Sequence, residues 1–180
     1  MNVTPLPLSG AFEITLERRE DARGYFARTY CDDEFRKAGL NSSWPQMNVS
    51  MNLAQGTLRG MHFQRAPQAE VKLVRCLRGR AWDVIVDLRA GSASFGQTTA
   101  LMLDAEALNA VYIPEGFAHG FQAVLPETLL QYMHSETYAP GHEGGISPFD
   151  AALSIDWPLP PARMSPRDEA LPALAEITPL

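Results

Sequence analysis

Two short segments of the chain each set one histidine between glycines, and both contain residue types that could do chemistry. The first, residues 56–79, begins Gly-Thr-Leu-Arg-Gly-Met-His-Phe-Gln and contains His62. The second, residues 113–121, reads Ile-Pro-Glu-Gly-Phe-Ala-His-Gly-Phe and contains His119. Three basic residues accompany the first histidine: Arg59, Lys72 and Arg75. Because an imidazole changes charge near neutral pH and also binds metals, these segments are predicted to carry proton transfer or metal chemistry.

A metal site is one interpretation of the spacing. The pattern Gly-x5-His-x-Gln-x5-Glu, followed by Pro-x-Gly-x-x-His, resembles the two motifs of the cupin superfamily. The residues at the ligand positions are His62, Gln64, Glu70 and His119. A divalent metal needs several strong donors, and the neutral amide of Gln64 is a weak one, so we expect no metal. The other simple interpretation is that His62 is a structural histidine of the core. That interpretation gives no reason for the cations and amides that surround His62 in the sequence.

Composition predicts one domain over residues 1–180, with 46% hydrophobic residues. The net charge of −6 argues against a general affinity for nucleic acid and still allows a small anionic ligand in a basic pocket. Cys31 and Cys76 have neither metal nor disulfide spacing and are predicted to be reduced thiols. We see no signal peptide and no apolar run near the roughly 20 residues of a membrane helix. We therefore expect a cytoplasmic protein without membrane contact.

Most of the elements that must hold these residues are predicted to be strands. Apolar runs of strand length are separated by Gly, Pro, Asp and Asn at spacings of about 8–12 residues, which predicts an all-β sandwich or jelly roll. The predicted strands cover residues 12–16, 25–30, 71–77, 81–88, 98–103, 110–113, 120–124 and 128–135, with a turn at 21–24. A short helix is predicted over residues 34–38, with Asp32 or Asp33 as its cap and Gly39 as its stop.

The C-terminal part is predicted to wrap the surface. Five prolines fall between residues 157 and 172, and proline is excluded from central strands and helix interiors. We therefore expect residues 157–180 to run over the domain. Ser165 could cap a short peripheral helix that has Pro166 at its first position.

A longer set of segments resembles the dTDP-4-dehydrorhamnose 3,5-epimerase family. These segments follow the family's order at residues 56–64, 72–76, 83–89, 94–96, 112–121 and 155–158. The resemblance implies a cupin-type jelly roll that forms a homodimer and needs no metal or organic cofactor. It implies that the enzyme epimerises a nucleotide-diphospho-4-keto-6-deoxysugar at C-3, C-5 or both. It also implies that strands within residues 1–50 are exchanged between the two chains.

Such an epimerisation needs a base on one face of the sugar, an acid on the other, and a donor or cation for the enolate oxygen. The resemblance places His62 as the base, with Asp168 as the carboxylate that orients it. It places Tyr132 as the acid and Lys72 beside the enolate oxygen. Judged from the residues alone, Tyr132 could instead pack in the core, Lys72 could lie on the surface, and Asp168 could be a solvated helix cap.

Ligand contacts are implied for further residues. Arg59 and His119 resemble contacts to the diphosphate or the sugar, and Gln46 and Asn48 match the strand that lines the nucleotide pocket. The segment that reaches the partner's ligand contains Arg23, Phe26 and Arg28. The chain departs from the family's usual residues at Arg28 and Val49, which leaves the nucleotide base open.

Other interpretations stay open. The chain could also be a different enzyme: a single-centre epimerase, a 3,4-ketoisomerase or a metal-dependent cupin oxygenase. It could also be a non-catalytic cupin that binds a nucleotide sugar. Asp83 could hydrogen-bond His62 or Lys72 and hold it in place, or be only an inward polar residue. Tyr138 is predicted to be structural, and His134 and His142 are predicted to be exposed.

Overall fold

The computed structural model describes residues 1–180, and nearly all its regular structure is β-strand. The strands are β1 (Asn2–Pro5), β2 (Phe12–Thr15), β3 (Arg18–Asp21), β4 (Gly24–Ala27), β5 (Gln46–Asn52), β6 (Leu58–Gln64), β7 (Lys72–Arg78), β8 (Arg80–Asp87), β9 (Thr98–Asp104), β10 (Asn109–Ile113), β11 (Phe117–Ala123), β12 (Thr128–His134) and β13 (Glu143–Gly145). The helices are α1 (Asp32–Lys37), α2 (Pro166–Glu169) and a 3-10 turn at Leu174–Glu176. None of them has the length and apolar character needed to cross a membrane.

Two antiparallel sheets face each other across the main core. One has six strands in the order β1-β2-β10-β7-β12-β5, and the other has five in the order β13-β6-β11-β8-β9. Val74 and Leu130 from the first sheet pack with Ile85 and Phe121 from the second. Because side chains alternate across a strand, every second residue of these strands reaches the space between the sheets. The architecture is the all-β jelly roll that the sequence predicts.

The outer face of the five-stranded sheet is covered by the C-terminal segment. Leu174, Ile177 and Leu180 pack against Val84 and Val86, which point away from the main core. The N–H of Leu180 donates to the carbonyl of Leu88 at 2.7 Å, which ties the chain terminus to the end of β8. The proline-rich segment therefore returns along the sheet and carries α2 to the edge of β6.

Helix α1 covers the outer face of the six-stranded sheet, where Phe35 packs with Leu73 and Tyr112. It begins two residues before the predicted start, and neither predicted aspartate is its cap. Cys31 occupies the cap position without a side-chain hydrogen bond. Asp32 and Asp33 lie in the first turn instead, where negative charge interacts favourably with the helix dipole.

The pattern of alternation missed five strands: β1, β3, β5, β13 and β6, which carries His62. Of these, β5 was indicated only by the family resemblance. Strand β6 contains Gly60, and glycine weakens any strand signal. Strand β3 is a run of four charged residues with no apolar side, and β1 and β13 are only four and three residues long. These segments form strands because they pair with neighbouring strands. Alternation of side chains within one segment does not indicate such pairing.

Strands β3 and β4 form a hairpin that pairs with neither large sheet. Its turn lies at residues 21–24, as predicted. Almost all its residues are exposed, including Tyr25 and Phe26. Beside it in the chain order, β5 is an edge strand of the six-stranded sheet and exposes three apolar side chains: Met47, Val49 and Met51. The β3–β4 hairpin and the exposed edge of β5 are therefore suited to contact with another chain.

Candidate active site

A cavity of about 340 Å³ lies between the two sheets and is lined by residues of β5, β7 and β12 on one side and of β6 and β11 on the other. It brings together seven of the residues predicted for the site, which come from segments far apart in the chain. They are Gln46, Asn48, Arg59, His62, Lys72, His119 and Tyr132.

Two glycines allow β6 and β11 to approach closely beside this cavity. Gly60 has a φ of +117°, and a Cβ atom added there would lie 2.5 Å from the Cα of Gly120. Only glycine suits both the backbone conformation and the close approach. In the resulting register His62 lies directly opposite His119, so the two glycine-rich motifs form one site.

His62 and Asp168 form a hydrogen-bonded pair at the cavity wall. Nε2 of His62 lies 2.7 Å from Oδ1 of Asp168, and the N–H of Gly60 donates to Oδ2 at 3.2 Å. Asp168 lies on α2, which begins as predicted with Ser165 as its cap and Pro166 at its first position. The interpretation of Asp168 as a solvated cap is wrong, because only 4% of the residue is exposed.

The surroundings of Asp168 keep its carboxylate ionised. Burial alone raises the pKa of Asp168, but hydrogen bonds from His62 and from the N–H of Gly60 outweigh that effect and hold the pKa below its usual value. A carboxylate at Nε2 favours a proton on that nitrogen and leaves Nδ1 of His62 free to accept another. The imidazole is 36% exposed, so a ligand can reach it.

Lys72 is buried at the start of β7, and the interpretation of a surface lysine is wrong. Its Nζ lies 3.2 Å from Oε1 of Glu70 and donates to the carbonyl of His62 at 3.4 Å. A cation is thus held in the wall of the cavity, in contact with the backbone of His62. A buried cation close to bound ligand stabilises negative charge more strongly than one in water.

Tyr132 extends from β12 into the cavity and also packs against the main core. Its hydroxyl lies 3.3 Å from Oγ of Ser50, and its ring meets the edge of His119 with centroids 6.1 Å apart. Burial raises the pKa of Tyr132, and the negative charge of Asp83 adds to the rise. The phenol therefore keeps its proton at neutral pH and has a proton to deliver.

Asp83 is fully buried on β8 and hydrogen-bonds His119, whose Nε2 lies 2.8 Å from Oδ2. The sequence interpretation that pairs it with His62 is therefore wrong. Burial raises the pKa of Asp83, against the opposing influences of His119 and Lys72. The site consequently holds two separate His–Asp pairs, one on each side of the β6–β11 contact.

Arginines lie together at one side of the site. Nε of Arg59 donates to Oδ1 of Asn52 at 2.9 Å, which fixes the guanidinium. Arg59 also lines an adjacent cavity of about 420 Å³, together with Arg163 and Arg167. Because guanidinium groups match the geometry of phosphate oxygens, this side of the site is suited to an anionic group.

Three predicted ligand contacts lie outside the cavity of their own chain. Arg23 and Phe26 are exposed on the β3–β4 hairpin, where Arg23 pairs with Asp21. Arg28 follows the hairpin and forms an ion pair with Glu34 at 2.7 Å. None of the three lines the cavity that contains His62.

Sequence reasoning missed several residues that line the cavity. His134 was predicted to be exposed, but its side chain is only 12% exposed and its Nδ1 lies 2.8 Å from Oε2 of Glu70. The signal was present, because His134 stands two residues after Tyr132 on one strand and must share its face. Tyr138, predicted to be structural, lines the cavity and is more than half exposed, and His142 is partly buried. Other unpredicted lining residues include Phe121, Glu143 and Arg167.

No group of three or more His, Cys, Asp or Glu side chains is arranged to hold a metal ion. The four residues at the cupin ligand positions, His62, Gln64, Glu70 and His119, have separate hydrogen-bond partners. His62 and His119 bind different aspartates, and Glu70 binds His134 and Lys72. The amide of Gln64 donates to the carbonyl of Gln68 and accepts from the N–H of Ala139.

Comparisons with known proteins match this chain to one family over nearly its whole length. The family model described as dTDP-4-dehydrorhamnose 3,5-epimerase matches residues 5–176. A dTDP-4-dehydrorhamnose 3-epimerase of Streptomyces niveus is 42% identical over 98% of this chain and 85% of its own. A dTDP-4-dehydrorhamnose 3,5-epimerase of Mycolicibacterium smegmatis is 40% identical over 98% of this chain and 87% of its own. The crystal structure of NovW, a 4-keto-6-deoxy sugar epimerase from the novobiocin cluster of Streptomyces spheroides, superposes with a TM-score of 0.93 at 42% identity, over 98% of this chain and 88% of that one.

Proposed function

The chain belongs to the dTDP-4-dehydrorhamnose 3,5-epimerase family and is an isomerase, and we propose that it epimerises a dTDP-4-keto-6-deoxysugar at C-3, C-5 or both. One observation carries the mechanism. The His62–Asp168 pair, Lys72 and Tyr132 meet at one cavity, which provides a base, a cation and an acid for the same bound sugar.

In the proposed reaction His62 is the base. A C–H bond next to the C-4 carbonyl is acidic, and Nδ1 of His62 takes this proton while the C–H electrons form the enolate. Asp168 stabilises the imidazolium that results. The negative charge moves to the C-4 oxygen, where the ammonium of Lys72 stabilises it.

Tyr132 is the proposed acid that completes the inversion. Its O–H delivers a proton to the opposite face of the same carbon, and the enolate electrons form the new C–H bond. The carbonyl is restored, and the phenolate and the imidazolium return to their starting states by proton exchange with solvent. Because burial raises the pKa of Tyr132, reprotonation of its phenolate is strongly favoured.

The remaining cavity residues are proposed to hold the nucleotide diphosphate. Arg59 is fixed by Asn52 and is suited to bind a diphosphate oxygen. His119 is proposed to contact the sugar or the diphosphate, and Gln46 and Asn48 on β5 to line the nucleotide pocket.

The test of the function is incubation with several nucleotide-diphospho-4-keto-6-deoxysugars in deuterium oxide. We expect deuterium at C-3, C-5 or both, together with inversion at the same carbon, because enolate formation exposes that carbon to solvent protons. The labelled positions report the number of centres, which differs between the two relatives named above. Migration of the carbonyl to C-3 would indicate a ketoisomerase, and binding without any exchange would indicate a non-catalytic protein.

We also propose a homodimer in which Arg23, Phe26 and Arg28 of one chain approach the ligand of the other. The hairpin that carries Arg23 and Phe26 projects without pairing to either sheet, and Phe26 is 66% exposed. The edge strand β5 exposes an apolar stripe next to the cavity residues of the same strand. Pairing this edge with a second chain by two-fold symmetry would cover both features.

Mixing an Arg23→Ala chain with a His62→Asn chain tests this arrangement. In a shared site, each mixed dimer has one site with both changes and one site with neither. Random subunit exchange should therefore restore about a quarter of the wild-type activity, although each variant alone is impaired. No recovery after proven subunit exchange would mean that each site is built from one chain.

We further propose that residues 1–180 act as one domain in the cytoplasm. Cys31 and Cys76 are both free thiols, which suits a reducing compartment.

A further inference from the structure

Glu70 and His134 form an enclosed contact beside Lys72 that the proposed mechanism does not use. Oε2 of Glu70 lies 2.8 Å from Nδ1 of His134, and Oε1 lies 3.2 Å from Nζ of Lys72. The side chain of Glu70 is only 9% exposed, and both its oxygens are occupied. A single carboxylate therefore bridges an imidazole and an ammonium at the cavity wall.

The imidazole of His134 connects this bridge to Tyr132. The two rings are neighbours on one face of β12 and stack with centroids 5.9 Å apart and planes 13° apart. His134 lies opposite Lys72 in the β12–β7 register, and its Nε2 is 3.4 Å from Nδ2 of Asn48 on β5. The imidazole against which the Tyr132 ring stacks is thus itself held by Asn48 on β5 and by Glu70, which lies two residues before β7.

We propose that Glu70 and His134 are positioning residues of the epimerisation: Glu70 holds the ammonium of Lys72 and, through His134, the ring of Tyr132. This inference rests on the proposed roles of Lys72 and Tyr132. A cation and an acid that act on neighbouring atoms of one sugar must keep a fixed relative position, because small displacements of catalytic groups cost large factors in rate.

The electrostatics of the cluster support a permanently ionised bridge. Burial alone raises the pKa of Glu70, but the hydrogen bond from His134 and the charge of Lys72 outweigh it and lower the pKa. Removing His134 would take away the largest of these opposing influences. The other titratable or charged groups that line the same cavity are Arg59 and His62 on β6, His119 on β11, Tyr132 on β12, Tyr138, Glu143 on β13 and Arg167 on α2.

The first test measures solvent exchange and inversion separately in two variants. His134→Leu frees the Tyr132 ring but leaves the His62–Asp168 pair and the Glu70–Lys72 contact in place. We expect exchange within about twofold of wild type and inversion about tenfold slower, so that the ratio of exchange to inversion rises about tenfold. Glu70→Gln keeps a hydrogen-bonding side chain but removes the charge that faces Lys72. We expect exchange itself to slow about tenfold in this variant, because Lys72 acts on the enolate.

His142→Leu is the matched control, because His142 does not line the cavity and its side chain makes no hydrogen bond to these groups. It should leave both rates unchanged. Equal losses of exchange and inversion in His134→Leu would indicate a merely structural residue and would overturn the proposal. Wild-type rates in both variants would overturn it as well.

A second test needs no turnover and separates this inference from the proposed function. Carbon-13 NMR of the Glu70 carboxyl, identified by its loss in Glu70→Gln, gives the titration midpoint of the free enzyme. His134→Leu should raise this midpoint toward the ordinary glutamate value, and His142→Leu should not move it. An unmoved midpoint overturns the bridge even if the enzyme is active. A wild-type enzyme that exchanges no proton with any substrate would count against the proposed function, and the midpoint would still decide whether the bridge exists.

Discussion

Replacing His62 with asparagine is expected to lower both solvent exchange and inversion by about 10²–10⁴-fold, because the only proposed base is then absent. Asparagine keeps a hydrogen-bonding group near Asp168, so the buried carboxylate is not left without a partner. The measurement is the rate of deuterium uptake at the carbon next to the carbonyl, together with the rate of product formation. Affinity for dTDP and the melting temperature should stay close to wild type.

The same change at His142 is the control, since that histidine lies outside the cavity. His142→Asn should leave both rates unaltered. Asp168→Asn should fall between the two, because the imidazole remains but loses the carboxylate that orients it. A His62→Asn enzyme that exchanges protons at the wild-type rate would remove His62 from the mechanism.

Replacing Tyr132 with phenylalanine is expected to abolish inversion while solvent exchange at the same carbon continues. The base, its carboxylate and the cation are unaltered, so the enolate still forms and His62 can return a deuteron to the original face. Without the phenol no group protonates the opposite face, and loss of a positioned acid costs about 10²–10⁴-fold in rate. Recovered substrate should therefore carry deuterium with its configuration retained.

Tyr112→Phe is the control for the loss of a buried phenol. Its hydroxyl accepts a hydrogen bond from the N–H of Asn41 at 3.0 Å and lies outside the cavity. This variant should keep the wild-type ratio of exchange to inversion, even if its stability falls. If Tyr132→Phe loses exchange and inversion by equal factors, then Tyr132 binds or packs and does not deliver the proton.

Much of the fold could be predicted because the residues of most strands are themselves apolar where the strand is buried. Strands β7, β8, β9, β10 and β12 lie within two residues of their predicted bounds, since apolar and β-branched side chains mark them locally. Strand β6 could not be predicted in this way, because the glycine that lets it approach β11 also removes its strand signal. The cap of α1 was misplaced since both candidate aspartates also suit the first helical turn.

Residue chemistry is what the sequence determined by itself: two histidines in glycine-rich motifs, basic residues around the first, and an all-β scaffold to hold them. The family resemblance had already indicated Asp168 for His62, and only the tertiary structure decided which carboxylates serve His119 and His134. His62 pairs with Asp168 across 106 positions, His119 with Asp83 across 36, and His134 with Glu70 across 64. A hydrogen bond acts over about 3 Å, so its partners depend on strand register and sheet packing between distant segments. No local pattern contains that information, and for this reason the partner of Asp83 stayed open in the sequence analysis and His134 was predicted to be exposed.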